Sequence, residues 1–258
     1  MRGLELFFKR YRNGLRVVPP ADIFKYRQLA HGKDRRLIKL RIRNIGNRCV
    51  YARAGTDDFL TLYYVFHDQY HLPPENLPDR PVILDLGSNI GGTIVHYKYL
   101  YGGSRIIGVE MDEGNYELAK RNVSGLGDVE LLHNAVSVRE GTVSYSGLDK
   151  VDAYRILPAT SEHSAEYMKS VEAVTIPSII SRYGLSRIDF IKMDIEGEEA
   201  NVFDPGGDLS WLGMVGSMNI EIHGDASLMK NVLAVLEKYG LRAWKDQYHW
   251  SSVMAVRS

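Results

Sequence analysis

The sequence predicts an α/β fold, a doubly wound parallel sheet, on three observations. Short apolar runs alternate with helical stretches from residue 82 onward, a glycine-rich turn follows the first run, and several runs end in acidic or amide side chains. Alternating strands and helices imply parallel pairing. Parallel strands are covered on both faces and read as continuous apolar runs. Open sheets of this kind bind ligands just beyond the carboxyl ends of their strands, so the charge gathered there marks the candidate site.

The runs are VILDL (82–86), RIIGVE (105–110), VELLHNAV (129–136), IDFIKMD (188–194) and MNIEIH (218–223). Between them TIVHYKYLY, NYELAKRNV and SLMKNVLAVLEKYG carry helical patterning, with Asp112 and Asp225 as expected N-caps and Gly240 as a stop. The last pair, LRAWKD and SSVMAVR, has no helix between its members and predicts an antiparallel hairpin on one edge. Prolines punctuate the front third at VVPP (17–20) and LPPENLPDRP (72–81). The second stretch reads as a linker and divides an N-terminal appendage, 1–80, from a main domain, 81–258. Leu4, Phe7, Phe8, Tyr11 and Leu15 fall at helical spacing, so the chain is expected to begin with an amphipathic helix rimmed by Lys9, Arg10, Arg12 and Arg16. That helix would pack on the body or on a second subunit, giving a homodimer, or dock on a membrane surface.

Lys plus Arg and Asp plus Glu both total 32 in the 258 residues, which gives no overall sign of a nucleic-acid binder. The distribution is uneven. Residues 1–50 hold 14 basic and 3 acidic side chains, net +11, and the rest hold 18 and 29, net −11. The single cysteine, Cys49, excludes an intrachain disulfide framework and a cysteine zinc cluster. No apolar stretch approaches the roughly 18 residues of a membrane span, and the N-terminal apolar run is too short for a secretory signal. The expectation is a soluble, cytoplasmic protein.

The loop DLGSNIGGT (85–93) is the candidate cofactor turn. A dinucleotide fold wants G-x-G-x-x-G with a phosphate on the helix N-terminus, whereas this loop lacks the second glycine and places Asp85 before it. A carboxylate there repels a pyrophosphate but attracts S-adenosylmethionine, which has no phosphate and carries an ammonium and a sulfonium. Glu110 ends the next strand, where a carboxylate can accept hydrogen bonds from both ribose hydroxyls. Asn134 ends the third and is placed for the adenine edge. Each residue alone has an ordinary reading as a cap or a solvated strand end; three at successive strand ends are harder to dismiss. With the residues beside them, the expected cofactor set is Asp85, Gly87, Ser88, Asn89, Gly91, Glu110, Met111, Asn134, Ala135 and Asp194.

These residues resemble FkbM-type S-adenosylmethionine-dependent methyltransferases. The resemblance runs from about Arg53 to Gly224 through RAGTDDFLTLYYVF followed by Tyr70, VILDLGSNIGGT, RIIGVEMDEGNYELAKRNV, LLHNAV, IDFIKMDIEGEEANVF and NIEIHG. Its most specific part is K-x-D-x-E-G-x-E at residues 192–199. The resemblance implies the class I methyltransferase fold, seven strands with the last antiparallel, and O-methylation of hydroxyls of sugars, glycolipids or polyketides. Ser88 departs from the family's usual Ala. Residues 1–50 and about 146–173 match nothing in the family pattern and are where substrate choice is expected to lie.

Methyl transfer to an alcohol requires an aligned oxygen and help with its proton, from a carboxylate or histidine base or from a metal ion. Asp194 closes the fourth strand, Glu221 lies near the end of the fifth, and His223 follows two residues on, on the same face. Asp194, Glu221 and His223 are the expected ligands of Mg²⁺ or a similar ion. Asp194, Glu196, Glu221, His223 and Lys192 form the expected catalytic set. Lys192 shares the face of Asp194 and pairs with one of the carboxylates. Glu196 could cap the next helix, orient substrate or ligate metal. Glu198 and Glu199 read as first-turn helix charges, and His223 also reads as a hydrogen-bonded loop histidine. His163 lies in an insertion where a lid could cross the donor, although a solvated loop is its simpler reading. Tyr63, Tyr64, Tyr97, Tyr99 and Tyr101 could stack on a sugar or pack in the core, and Thr56, Asp57 and Asp58 could touch ligand or cap a helix.

The function expected is therefore S-adenosylmethionine-dependent, metal-assisted O-methylation of a sugar hydroxyl, with a small-molecule or oligosaccharide acceptor and no nucleic acid. Methylation of RNA or protein through the basic front segment and a catalytically silent cofactor-binding module are the rivals. A nicotinamide oxidoreductase is disfavoured by Asp85.

Overall fold

The computed structural model describes residues 16–30, 35–146, 155–156 and 168–258. The expected helix over Leu4–Leu15 and His163 lie outside the described residues.

The front of the chain supplies helix α1 (Pro20–Ala30), a hairpin of β1 (Leu37–Ile42) and β2 (Arg48–Arg53), and helix α2 (Asp58–Tyr63), which runs into a π turn over Tyr64–Asp68. The body follows as β3 (Val82–Leu86), α3 (Gly92–Leu100), β4 (Arg105–Glu110), α4 (Glu113–Val123) and β5 (Val129–His133). Four short strands come next: β6 (Ala135–Val136), β7 (Gly141–Ser146), β8 (Arg155–Ile156) and β9 (Met168–Val174). Helix α5 (Ile176–Tyr183), β10 (Ile188–Met193), α6 (Glu199–Val202), β11 (Val215–Glu221), α7 (Ala226–Lys238), β12 (Leu241–Lys245) and β13 (Ser252–Arg257) complete the chain.

The main sheet has seven strands in the order β12-β13-β11-β10-β3-β4-β5. Strands β11, β10, β3, β4 and β5 are parallel, and β13 runs antiparallel between β11 and β12. This is the seven-stranded order with a reversed last strand that the sequence resemblance implies. The expected helix ends hold: Asp112 Oδ1 accepts from Asn115 N at 3.0 Å, Asp225 Oδ1 from Ser227 N and Leu228 N, and Gly240 lies at φ +78° just past α7. One expectation is corrected. VELLHNAV is not one strand; it breaks at Asn134, and Ala135–Val136 joins a separate four-stranded sheet, β6-β9-β7-β8.

Each central strand is buried on both faces, which is why its residues read as an unbroken apolar run. Leu84, Leu86, Ile107, Val109, Ile191 and Met193 face a core filled by α5, Trp211 and α7. Ile83, Ile106 and Phe190 face the opposite core, where they meet Ile38, Leu40, Val50, Leu62 and Phe66 from the front of the chain and Ile94, Val95 and Tyr97 of α3. Residues 17–30 and 35–66 therefore cover one face of the sheet and share its core.

Candidate active site

A cleft opens at the carboxyl end of the sheet, lined by the ends of β3, β4, β10 and β11, by Asn134–Val136, and by residues 57–70 above them. Its two halves are built differently.

The cofactor half is made mostly of backbone. Gly87 takes φ +82°, and a Cβ placed there would stand 1.8 Å from the carbonyl oxygen of Asp194. Only glycine lets the loop cross that close to the neighbouring strand end. Gly87 N and Ser88 N both donate to Val109 O, at 3.0 and 2.9 Å, and fasten the loop to β4. Glu110 is buried, its Oε2 accepting from Asn89 N and its Oε1 from Asp112 N, each at 2.8 Å. Burial pushes its carboxyl up to about 7 against the pull of those two donors. Every carboxylate oxygen has a second lone pair, so Glu110 can still accept from two ribose hydroxyls. Met111, Asn134 and Ala135 line the adjoining wall. The Asn134 amide donates to Glu172 O at 2.9 Å, which fixes its orientation. Lys169 Nζ bridges to Asp112 Oδ2 at 2.7 Å and ties the small sheet to this rim. An acid at the β4 end, a glycine turn without a basic side chain, and an amide at the far wall fit a nucleoside without phosphate, which is what S-adenosylmethionine presents.

Two expected cofactor residues do other work. Asp85 is completely buried beneath the loop and does not line the cleft. Its Oδ2 accepts from Thr93 Oγ1, and its Oδ1 lies 3.8 Å from Lys192 Nζ, its register partner on β10. Lys192, which lines the cleft, is its cationic partner there. Gly91 also lies off the cleft: at φ +77° it gives room to Ala119 and Val123 of α4, so it is a packing glycine. Ser88 Oγ donates to Asp85 O at 2.8 Å, which accounts for a hydroxyl at that buried position.

The acceptor half is made of side chains converging from three chain segments. Lys192 is buried, donates to Gly87 O at 2.6 Å and stands 3.5 Å from Asp194 Oδ2. Burial alone would push this ammonium down, but Asp194 and Asp85 outweigh it and hold it above its ordinary value. His223 Nε2 faces Glu196 at 3.5 Å, Asp194 at 3.7 Å and Glu221 at 4.0 Å. His223 Nδ1 meets Glu199 Oε1 at 3.1 Å. Burial pulls the imidazole down, and Glu199, Asp194 and Glu196 more than reverse this, raising it to about 9. Burial and Asp194 push Glu196 up to about 7, and the same two causes raise Glu221.

Asp194, Glu196 and His223 each offer one ligand atom, and these atoms lie within 4.8 Å of one another. Among the described residues this is the set compact enough to hold a metal, with Glu196 in the place expected for Glu221. Glu221 instead accepts from Ser251 Oγ at 3.2 Å and stands 4.0 Å from His249. Glu196 and Asn89, both lining the cleft, adopt positive φ, 56° and 49°, a strained conformation for residues other than glycine.

The chain's most informative residue outside the expected site is Glu199. It sits in the first turn of α6 as expected, yet it is fully buried and accepts from Ile195 N, Gly197 N and His223. It braces the loop and orients the imidazole, a relation that residue spacing alone does not reveal because His223 lies 24 positions away. Tyr70 also lines the cleft, and burial with Asp194 and Glu221 pushes its phenol well above the ordinary value, so it stays a hydrogen-bond donor. Of the other tyrosines, Tyr64 lines the cleft, Tyr97 is core, Tyr63 stacks on His67 and Tyr99 is exposed. Asp57 lines the cleft, whereas Asp58 is buried against Arg53, and Thr56 bonds the same turn.

The methyltransferase FkbM domain profile matches residues 85–243, which include the strand-end residues of the cleft from Gly87 to His223 but not its upper lining at residues 57–70. The chain belongs to the FkbM methyltransferase family. It is thus an S-adenosylmethionine-dependent methyltransferase. Curated relatives of this FkbM protein include the methyltransferase sdnD of Sordaria araneosa, 23% identical over 206 residues that cover 68% of this chain and 79% of that protein. The 2-O-methyltransferase NoeI of Sinorhizobium fredii is 28% identical over 142 residues, 50% of this chain and 58% of that one. Solved structures are more distant. Methanococcus jannaschii fibrillarin aligns at 14% identity over 87% of this chain and 82% of its own with a TM-score of 0.45.

Proposed function

We propose that this methyltransferase transfers a methyl group to a hydroxyl of a sugar, on a glycan, glycolipid or glycosylated natural product, with a divalent cation held by Asp194, Glu196 and His223. The observation that carries the reading is His223 itself, whose Nε2 looks into three carboxylates while buried Glu199 holds its Nδ1. A carboxylate behind a histidine whose other nitrogen faces a set of oxygen ligands is the arrangement that fixes tautomer and ring orientation for metal binding. The name of NoeI supports an oxygen acceptor.

In this reading Glu110 and the wall of Met111, Asn134 and Ala135 hold the nucleoside, and the Gly87 turn sets the distance between donor and acceptor. S-adenosylmethionine, once bound, supplies an electrophilic methyl, and a divalent ion at the triad would supply acidification of the acceptor hydroxyl. Lys192 balances Asp85 and Asp194 from below and keeps Asp194 turned into the cleft. The acceptor hydroxyl must shed its proton as its oxygen takes the methyl, and the nearby carboxylates are the groups able to receive it.

A second reading needs no metal and has its own support. His223, raised to about 9, is already protonated near neutrality and is a poor base there. Glu196, at about 7, is poised to act as one. Chelation separates the two. The protein is treated with EDTA and assayed for methyl transfer from S-adenosylmethionine to simple glycosides, with and without added Mg²⁺ or Mn²⁺. Loss of turnover and its return with the ion supports the metal reading; full turnover without metal supports the metal-free reading.

A further inference from the structure

We propose that the turn joining β12 to β13 forms an outer acceptor subsite in which Tyr248 and Trp250 stack on the sugar ring next to the one that is methylated. The inference rests on the sugar-hydroxyl reading above and adds the acceptor's size, at least a disaccharide.

The turn is physically continuous with the acceptor half of the cleft. His249 stacks on Tyr70 with ring centroids 5.7 Å apart and planes 24° apart, and Tyr70 lines the cleft. His249 Nε2 and Ser251 Oγ both approach Glu221 Oε1, at 4.0 and 3.2 Å, and Glu221 in turn faces His223. A chain of polar groups therefore runs outward from Asp194 through His223 and Glu221 to His249 and Ser251.

On either side of His249 the chain exposes its two most solvent-accessible large aromatic side chains among the described residues, Tyr248 at 89% and Trp250 at 75%. Their exposure is built rather than incidental, because the turn beneath them is firmly held. Asp246 accepts from Tyr248 N and His249 N at 3.2 and 3.1 Å, Asp246 N donates to Ser252 O, Ser252 N donates to His249 O, and Ser251 O receives Ile222 N just past β11. Exposed apolar surface on a braced support costs solubility without adding to the core, and it marks a binding surface. The apolar face of a pyranose matches an aromatic ring, while its hydroxyls match carboxylate, hydroxyl and imidazole partners such as those at Glu221, Ser251 and His249. Tyr and Trp bring large rigid contact area at little conformational cost.

The test compares wild type with Tyr248→Ala, Trp250→Ala and Trp250→Phe as full-length chains, with monosaccharide methyl glycosides and disaccharides of the common hexoses and 6-deoxyhexoses as acceptors. Both side chains are exposed, so the variants are expected to fold and to bind S-adenosylhomocysteine with wild-type affinity. The proposal expects either alanine variant to raise KM for disaccharides roughly tenfold, the scale of one lost aromatic contact, with kcat little changed. It expects Trp250→Phe to retain most of the wild-type KM and the small methyl glycosides to be poor acceptors for every form. Unchanged disaccharide KM in both alanine variants overturns the subsite while leaving sugar methylation standing. Wild-type enzyme that methylates no glycoside overturns both the subsite and the sugar reading.

Discussion

The two halves of the cleft carry comparable chemistry on different foundations. On the cofactor side Glu110 at the end of β4 is held by backbone N–H groups of Asp112, two residues on, and of Asn89 in the turn between β3 and α3, all within one β-α-β unit. On the acceptor side His223 is held by Glu199, and its remaining nitrogen meets carboxylates from the loop after β10 and from the end of β11. The first half is made once β3, α3 and β4 have paired as one β-α-β unit. The second exists only when β10, α6 and β11 have packed together. A nucleoside common to many reactions needs only the local unit, whereas the acceptor chemistry depends on the assembled loops.

The largest effect is expected where the halves touch. Gly87→Ala places a methyl 1.8 Å from the Asp194 carbonyl and strains a backbone at φ +82°. A cost of about 3 to 5 kcal/mol is expected, with loss of both cofactor binding and turnover. Thermal unfolding monitored by circular dichroism checks it, and a wild-type melting temperature would show that the loop can yield.

A more selective break follows from Glu110→Gln. Removing the charged acceptor is expected to weaken S-adenosylhomocysteine by roughly 1.5 to 3 kcal/mol, measured by calorimetry, without altering the fold. Equal affinities would remove Glu110 from the nucleoside site.

Glu199→Gln sharpens the comparison from the other side. Without its charge the imidazole loses its largest upward pull, so His223 is expected to titrate well below about 9 when followed by NMR. The sign is fixed by linkage. A histidine raised from 6.5 to about 9 contributes stability that is fully present below 6.5 and is lost as pH rises through about 9, so the variant should lose more stability at pH 6 than at pH 10. Cofactor affinity is expected to be unchanged, because Glu199 touches none of the nucleoside wall.

The smallest effect is a pH dependence of cofactor binding. Glu110 at about 7 in the free protein is partly protonated near neutrality, while ribose hydroxyls favour its ionised form. Affinity for S-adenosylhomocysteine should therefore rise as pH increases from about 5.5 to 7.5, changing at most about tenfold per pH unit, and should become flatter in Glu110→Gln. As a stability statement the sign is opposite to that of an ordinary salt-bridged acid. The raised carboxyl favours the folded state below 4.5, and this contribution is lost as pH rises through about 7.

The same division explains what the sequence made legible. The strand runs, the Asp112 and Asp225 caps, the glycine turn and the strand-end position of Glu110 are features of residue order, which reports them directly. Asp85 read as a cofactor residue because it stands next to the loop in sequence, but its side chain points beneath the sheet end toward Thr93 and Lys192, a direction that only the β3–β10 register reveals. Glu196 displaced Glu221 from the compact triad because the positive φ at Glu196 turns its side chain back over the cleft, and no spacing rule announces that turn. Glu199 and His249 escaped for a related reason, since each acts through a partner more than 20 residues away. Residues 1–50 read as a basic segment in composition, whereas the place of residues 17–30 and 35–66 on the sheet face comes from Ile38, Leu40, Val50 and Phe66, whose destination is set by packing.

The measurement that bears most directly on a divided cleft is His223→Ala assayed two ways on one preparation. Calorimetry with S-adenosylhomocysteine reports the cofactor half, and methyl transfer to a glycoside accepted by the wild type reports the acceptor half. Wild-type affinity within about twofold together with a loss of turnover of roughly 10² to 10⁴-fold is the predicted result. Wild-type turnover, or affinity and turnover falling in parallel, would contradict it.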